Sequence, residues 1–447
     1  MEALVMTAQL LLGLSILVGL HEMGHLLAAK LFGMRVEKFS IGFPPKIFGV
    51  RWGETEYSIG AIPLGGFVKI SGMIDESLDT NSLSEEPQPW EFRAKPAWQR
   101  LIVMMGGIIV NVITGIVIFV IMAYNFGDSY IPKEEVIKHG IVAYDLAQEL
   151  GLQTGDRILQ VNGHDYEKFE DLAGPDVFLA DKTYYTVKRD AETFDVSIPG
   201  NFIENFSERS SARQFIDIRM PFEVGEVKKD SPADKAGLQT GDKITAVNGQ
   251  PITYFDELQT ILTENAGQQI SLQVVRPSNA TIENPVSETI ELTATVDEEG
   301  LIGFYITSLI DAAHTDYSFG EAIPIGTQQA FRAVWVNILA FGKIFRGELS
   351  ASKSLSGPIG IAQIFGGTWD WTRFWGLTAL LSMVLAFMNF LPIPALDGGH
   401  VMFLLYEMVS GRKPSDQFLE GAQKVGMVLL LSLMVFVIFN DIFKAIF

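Results

Sequence analysis

Cysteine is missing from all 447 residues. That excludes disulfide staples, and it excludes thiolate ligands, so any metal site must use histidine and carboxylates. Histidine itself is scarce, with 6 in the chain. Charged residues make up only 19%, and the mean hydropathy is positive at +0.24. This is too apolar for an ordinary soluble protein and too polar for a pure transporter, and it implies membrane helices joined to soluble domains. No lysine or arginine precedes Lys30. The apolar start therefore lacks the basic flank of a secretory signal peptide and is expected to be a retained helix. Basic residues are also in deficit overall, giving a net charge of −20. Between Tyr124 and Pro324 there are 15 Lys and Arg against 35 Asp and Glu, which accounts for the whole excess. A solvated acidic surface of this kind argues against nucleic acid as a partner.

Long apolar runs are present, and four are long enough to span a bilayer: about 4–29, 101–123, 374–409 and 425–447. The third is interrupted at 389–399, where Pro392 and Pro394 break helical hydrogen bonding; backbone freed at that depth must line a protein interior or a wet cavity. Lys30, Arg35, Lys38, Lys46, Arg51, Lys69, Arg93, Lys95 and Arg100 lie between the first two spans and place that stretch in the cytoplasm. The N-terminus is then outside, and so is the C-terminus after four crossings. Glu54 to Ile70 alternates apolar and polar around Pro63-Leu64-Gly65-Gly66-Phe67, which reads as a short β-hairpin or looped sheet in a region of about 50–72. Its open edge could accept an extended substrate strand, or it could simply lie against the membrane. Gly106, Gly107 and Asn111 in the second span suit close helix packing. Residues 319–373 read as amphipathic and linker helices on the outer membrane face, because Arg332 and Lys343 interrupt the apolar pattern.

The acidic middle holds an internal repeat. Gly151-Leu-Gln-Thr-Gly-Asp-Arg-Ile-Leu-Gln-Val-Asn-Gly163 recurs as Gly237-Leu-Gln-Thr-Gly-Asp-Lys-Ile-Thr-Ala-Val-Asn-Gly249. The period suits two tandem domains rather than a solenoid. The pattern resembles bacterial PDZ domains, giving two α+β units at 127–221 and 222–310. That resemblance implies capture of peptide termini by strand addition. Leu301-Ile-Gly-Phe304 resembles the carboxylate-binding loop of the second copy, with no equally clear counterpart in the first.

The chemistry centres on His21-Glu22-Met23-Gly24-His25 in the first span. Two histidines four residues apart share one helix face and can point at one ion, while the adjacent Glu22 can act as general base on the attacking water. Ionisable groups at membrane depth mark function. Catalytic zinc takes three protein ligands. His139, His164 and His314 fall in the outer region; His400 and Asp397 are both near the interrupted span, and Asp397, on the break itself, is the better candidate. Asn389 could hold substrate backbone, stabilise an oxyanion or cap the break.

The His-Glu-x-x-His motif, the late Asn389-Phe-Leu-Pro392-Ile-Pro394-Ala-Leu-Asp397-Gly-Gly399 segment and the repeat between them together resemble the site-2 protease family over essentially the full length. The resemblance implies a multi-spanning α-helical membrane protein of the bacterial inner membrane. It has four transmembrane helices, a membrane-associated β-loop on the cytoplasmic side, and PDZ-like domains in the periplasm. The membrane domain is then formed by 1–123 and 374–447. It implies one Zn2+ per chain held by His21, His25 and Asp397, with Glu22 as base. Asn389, Gly65, Gly66, Phe67, Pro392 and Pro394 would contact substrate. Implied partners are membrane lipid and transmembrane protein substrates: an anti-sigma factor already cut at a first site, and signal-peptide remnants. One departure is that family members often carry Gly-Pro-x-x-Asn in the second span, where this chain has Gly107-Ile108-Ile109-Val110-Asn111. A silent membrane scaffold would have lost one of the four central residues, and a transporter would show an inverted repeat among its spans; neither holds here.

Overall fold

The computed structural model describes residues 1–73, 86–207, 215–277 and 287–446. It divides into a unit formed by 1–128 with 316–447 and a second unit formed by 129–315.

In the first unit, four helices are long and apolar enough to cross a membrane: Glu2–Leu31, Ala97–Phe126, Trp371–Phe390 and Gln417–Lys444. We label the helices of this unit α1 (Glu2–Leu31), α2 (Ala97–Phe126), α3 (Phe319–Phe345), α4 (Pro358–Phe365), α5 (Trp371–Phe390), α6 (Asp397–Ser410) and α7 (Asp416–Ile446). The expected end of the last span at Phe447 lies outside the described residues. The second helix, α2, is central, with α1, α3, α5 and α6 all packed on it. In lipid there is little hydrophobic drive between helices, so contact is made by small and polar residues. Gly24 of α1 meets Gly106 of α2 backbone to backbone, and a Cβ at Gly24 would lie 2.2 Å from the Gly106 carbonyl oxygen. The Ser382 hydroxyl of α5 donates to the Asn111 carbonyl at 2.8 Å. On α3, Ala322 and Ala330 are fully buried, and Phe341 meets the ring of Phe387. Helix α7 shows apolar side chains such as Val428, Val435 and Phe439 on an exposed face. Near its far end, the buried Asp441 carboxylate accepts from the backbone of Gly357, Ile359 and Gly360 at 2.8, 2.9 and 3.0 Å. These are unpaired donors at the start of α4 that a helix must otherwise leave to water.

Between α1 and α2 lies an antiparallel pair, β1 (Val36–Trp52) and β2 (Thr55–Ile70). The sheet is larger than the sequence suggests: it starts at Val36, and Glu54 to Ile70 forms only its second arm. The reversal is at Gly53, whose φ of 63° is left-handed. The pair folds over itself, so that Phe39 lies opposite both Val68 and Tyr57. Val36, Val68 and Ile70 are buried with Leu26, Met34 and Val103, which fixes the inner edge of the sheet against α1 and α2.

The interruption of the third span is a real break. Helix α5 ends at Phe390 and α6 starts at Asp397, with Ala395 between them at φ 81°. The chain turns so tightly that a Cβ at Gly398 would lie 2.2 Å from the Leu391 carbonyl oxygen. Glycine is required there because α6 must begin directly over the turn.

In the second unit, two apolar cores follow one another, one from Val136 to Ile218 and one from Phe222 to Ile302. A three-stranded sheet (Arg157–Val161, Thr183–Arg189, Glu192–Ile198) serves the first. A four-stranded sheet, of which Lys243–Val247, Gln269–Pro277 and Ser287–Thr295 are the longer members, serves the second. The residues of the sequence repeat make matching bonds. Asp156 accepts from the Gln153 amide and from Arg189, as Asp242 does from Gln239 and Arg276. Arg189 also donates to the Gly151 carbonyl and Arg276 to the Gly237 carbonyl, each at 2.8 Å. Asn162 and Asn248, both left-handed, accept from Tyr184 and Ser271 in the neighbouring strand. Each aspartate is buried, so its charge is compensated by a guanidinium and a backbone amide.

Candidate metal centre

The helical period of α1 brings Val18, His21, Glu22 and His25 onto one side, and all four line a cavity of 910 Å³. His21 and His25 are 8% and 7% exposed. A buried imidazole needs partners for both nitrogens. The Nδ1 of His25 lies 2.8 Å from the Val103 carbonyl oxygen of α2 and can only donate to it, which leaves Nε2 with a free lone pair. Gly107 sits against both rings; a Cβ there would fall 2.5 Å from His21 Cε1 and from His25 Nε2.

The break between α5 and α6 delivers Asp397 to the same point. Its Oδ2 is 3.2 Å from His21 Nε2 and 3.3 Å from His25 Nε2, and the two Nε2 atoms are 3.3 Å apart. Among the described residues, this is the one group of three that could hold a metal ion. Asp397 Oδ2 is buried and has no hydrogen-bond partner of good geometry. Two imidazole nitrogens and one carboxylate oxygen converge on a single point, an arrangement that suits a cation. The spacing fits zinc: ligand atoms about 2.0–2.1 Å from a tetrahedral ion stand about 3.3 Å from one another. His400 lines the cavity but is not part of this group.

The remaining wall comes from the sheet and the break. Gly65, Gly66 and Phe67 of β2 line the cavity together with Asn389, Ala395 and Leu396. Asn389 Nδ2 reaches to 3.4 Å from His21 Nε2. A Cβ at Gly66 would stand 3.3 Å from Glu22 Cγ, which places β2 directly beside the glutamate. Pro392 and Pro394 are not among the lining residues; they shape the turn, and the Pro394 carbonyl faces Gly426 of α7. Some wall residues are not singled out by the sequence. Lys38 and Phe43 of β1 and Gln423 of α7 also line the cavity. Asn111, expected to serve packing, places its amide 3.1 Å from His21 Nδ1. The signal for it is a polar side chain in an otherwise apolar span.

A family model described as Peptidase family M50 matches residues 9–433. A Regulator of sigma E protease from Haemophilus influenzae is 29% identical, covering 97% of this chain and 98% of its own length. The Regulator of sigma-E protease of Escherichia coli is 28% identical, with 97% of each chain covered. A Neisseria meningitidis protein named, provisionally, as a zinc metalloprotease is 29% identical over 96% of each.

Proposed function

The chain belongs to peptidase family M50, and from that premise we propose that it hydrolyses peptide bonds inside the membrane-spanning segments of single-span proteins. It is a zinc metalloprotease. The observation that carries the intramembrane reading is the convergence of His21, His25 and Asp397 on one point, contributed by two helices that are among, or continue from, those long enough to cross a membrane. In this reading His21, His25 and Asp397 hold the zinc. Zinc bound there supplies Lewis acidity, polarising the scissile carbonyl and acidifying water.

The chain's own groups do the rest. Glu22 takes a proton from the attacking water and returns it to the leaving nitrogen. Asn389, whose side chain borders the cavity, donates to the substrate carbonyl as it gains negative charge. Gly65, Gly66 and Phe67 present strand edge to a substrate that must be unwound from helix before it can be cut, because a helical peptide bond is shielded by its own hydrogen bonds. The turn built by Pro392 and Pro394 sets the depth at which Asp397 and Asn389 meet the substrate.

Two PDZ-like domains, 127–221 and 222–310, act as a filter against substrates with bulky outer domains. Support comes from the matching bonds around Asp156 and Asp242, and from the exposed strand Phe304–Ser308, which follows left-handed Gly303 and pairs with Phe222–Val227. The protein sits in the bacterial inner membrane with both termini and the PDZ-like domains in the periplasm and the cavity toward the cytoplasm; the basic stretch between α1 and α2 supports that orientation. Names of the relatives support a role in sigma-E regulation; in this reading the substrates are an anti-sigma factor, as part of an envelope stress response, and signal-peptide remnants.

The test is Glu22→Gln in the full chain, assayed on a single-span substrate. The expected result is a fall in cleavage of about 10²–10⁴-fold with zinc still bound; persistent cleavage would refute the role of Glu22. Deleting 127–310 is expected to admit substrates with intact outer domains, and continued rejection of them would remove the filter.

A further inference from the structure

The two histidines are secured differently. His25 gives its Nδ1 hydrogen to the Val103 carbonyl, and a carbonyl has no other role it can play. Asn111 Nδ2 is placed 3.1 Å from His21 Nδ1, and turning the amide about its last bond puts Oδ1 there instead, the two orientations being interchangeable in shape. A neutral imidazole carries one hydrogen. If Asn111 turned its NH2 to His21 Nδ1, the ring hydrogen would sit on Nε2, between His25 Nε2 and Asp397 Oδ2, where the metal must go. If Asn111 turns its carbonyl oxygen, Nδ1 carries the hydrogen and Nε2 is free. As placed, the Asn111 Oδ1 has no hydrogen-bond partner among the described residues, so nothing but His21 holds the amide one way round.

We infer that Asn111 is a positioning residue for the metal centre, accepting a hydrogen bond from His21 Nδ1 through Oδ1 and so holding His21 in the tautomer that ligates. The inference rests on the reading of His21 as a zinc ligand. The surroundings of Asn111 suit that role. Its side chain is fully buried, and Ser382 of α5, also fully buried, bonds to its backbone carbonyl. The helix turn that carries it is therefore held from a second side. Outer partners of this kind raise ligand basicity and fix ring orientation.

The experiment compares zinc affinity of the full-length protein with that of Asn111→Leu, Asn111→Asp and Asp397→Ala, using a competing chelator, and records the visible spectrum of each after cobalt substitution. Asn111→Leu keeps the volume and removes the acceptor; zinc should bind about 10–100-fold more weakly. Asn111→Asp keeps an acceptor and cannot donate; zinc binding and the cobalt spectrum should stay close to those of the parent. Unchanged affinity in Asn111→Leu overturns the inference, as does a loss in Asn111→Asp equal to that in Asn111→Leu. If Asn111→Leu does not fold in the zinc-free state, Asn111→Thr and Asn111→Val replace the pair, with the acceptor-bearing threonine expected to bind more tightly and equal affinities overturning the inference. Loss of zinc in Asp397→Ala with none in Asn111→Leu rejects the role of Asn111 alone; retention of zinc in Asp397→Ala rejects the metal centre and the inference with it.

Discussion

Gly24 and Gly106 touch backbone to backbone where α1 crosses α2, one residue from His25 on one side and one from Gly107 on the other. No side chain can be added to either: a Cβ at Gly24 would stand 2.2 Å from the Gly106 oxygen, and one at Gly106 would stand 2.5 Å from the Gly24 oxygen. Neither obstacle is a flexible side chain that could swing away. Gly24→Ala and Gly106→Ala are each expected to cost about 3 kcal/mol or more, and to lower zinc content because the same crossing sets His25 against Val103. Thermal unfolding in detergent together with metal analysis checks this, and a wild-type melting curve with full zinc in either variant would count against the crossing as the site's anchor.

Asp397 is the only carboxylate in the proposed ligand set. Asp397→Ala leaves two neutral imidazoles and an open third position. Zinc stoichiometry after dialysis should fall from about one per chain to well below half, since catalytic sites depend on three protein ligands. Adding zinc in excess should restore little activity, because the missing ligand also fixes the ion's position. Full retention of metal after dialysis would assign the third ligand elsewhere.

In the second unit, Asp242 is fully buried and Arg276, at 2.7 Å, is its counter-charge. Asp242→Ala leaves the guanidinium, among the described residues, with only the Gly237 carbonyl and the Gln239 amide without its acceptor. Losing the buried carboxylate beside a partly exposed guanidinium should destabilise the second core by about 1–3 kcal/mol. Hydrogen exchange on the full chain reads this as faster exchange in 222–302. Asp156→Ala should do the same to the first core through Arg189, and exchange that quickens equally in both cores for either variant would contradict two separate cores.

Asp217 gives a dependence on pH. Although the residue is exposed, partial desolvation of its carboxyl by the surrounding chain raises it above the ordinary range, and the Ile218 amide that donates to it at 2.8 Å offsets this only in part. The folded state thus holds the proton more tightly than the unfolded state. The contribution is stabilising at low pH and is lost as pH rises from the unfolded value of about 4 through the higher folded one. Asp217→Asn should stabilise the second unit at neutral pH and flatten this part of its stability profile. A parallel profile for the variant would show that Asp217 carries none of the slope.

Much of the site is legible in the sequence because polar residues are conspicuous in apolar spans. His21, Glu22, His25 and Asp397 announce themselves in that way, and the two prolines announce the break. What sequence does not supply is the rotation of each helix about its axis. A soluble helix shows its inner face by an apolar stripe, but α1 and α2 are apolar on every side, so periodicity does not say which residues meet. Only buried polar groups such as Gln9, Asn111 and Ser382 mark the inner face, and their partners lie far along the chain. Hence the sequence suggests packing for Asn111, although its side chain faces His21 across 90 residues. The first arm of the sheet is hidden for another reason. Gly42, Pro44, Pro45 and Gly49 punctuate β1 and obscure its alternation, while Thr55 to Ile70 keeps its own.

The Asp441 carboxylate has a temporal consequence. The amides it satisfies belong to α4, made up to 84 residues earlier in the chain. Until α7 is synthesised, the three donors at the start of α4 lack this carboxylate and are left to water. The cap of the short helix α4 is therefore completed only when the last helix arrives. A ribosome that stops before residue 441 leaves a protein whose metal ligands are all present but whose bundle is unfinished, and a C-terminal truncation of a few residues would recreate that arrested state.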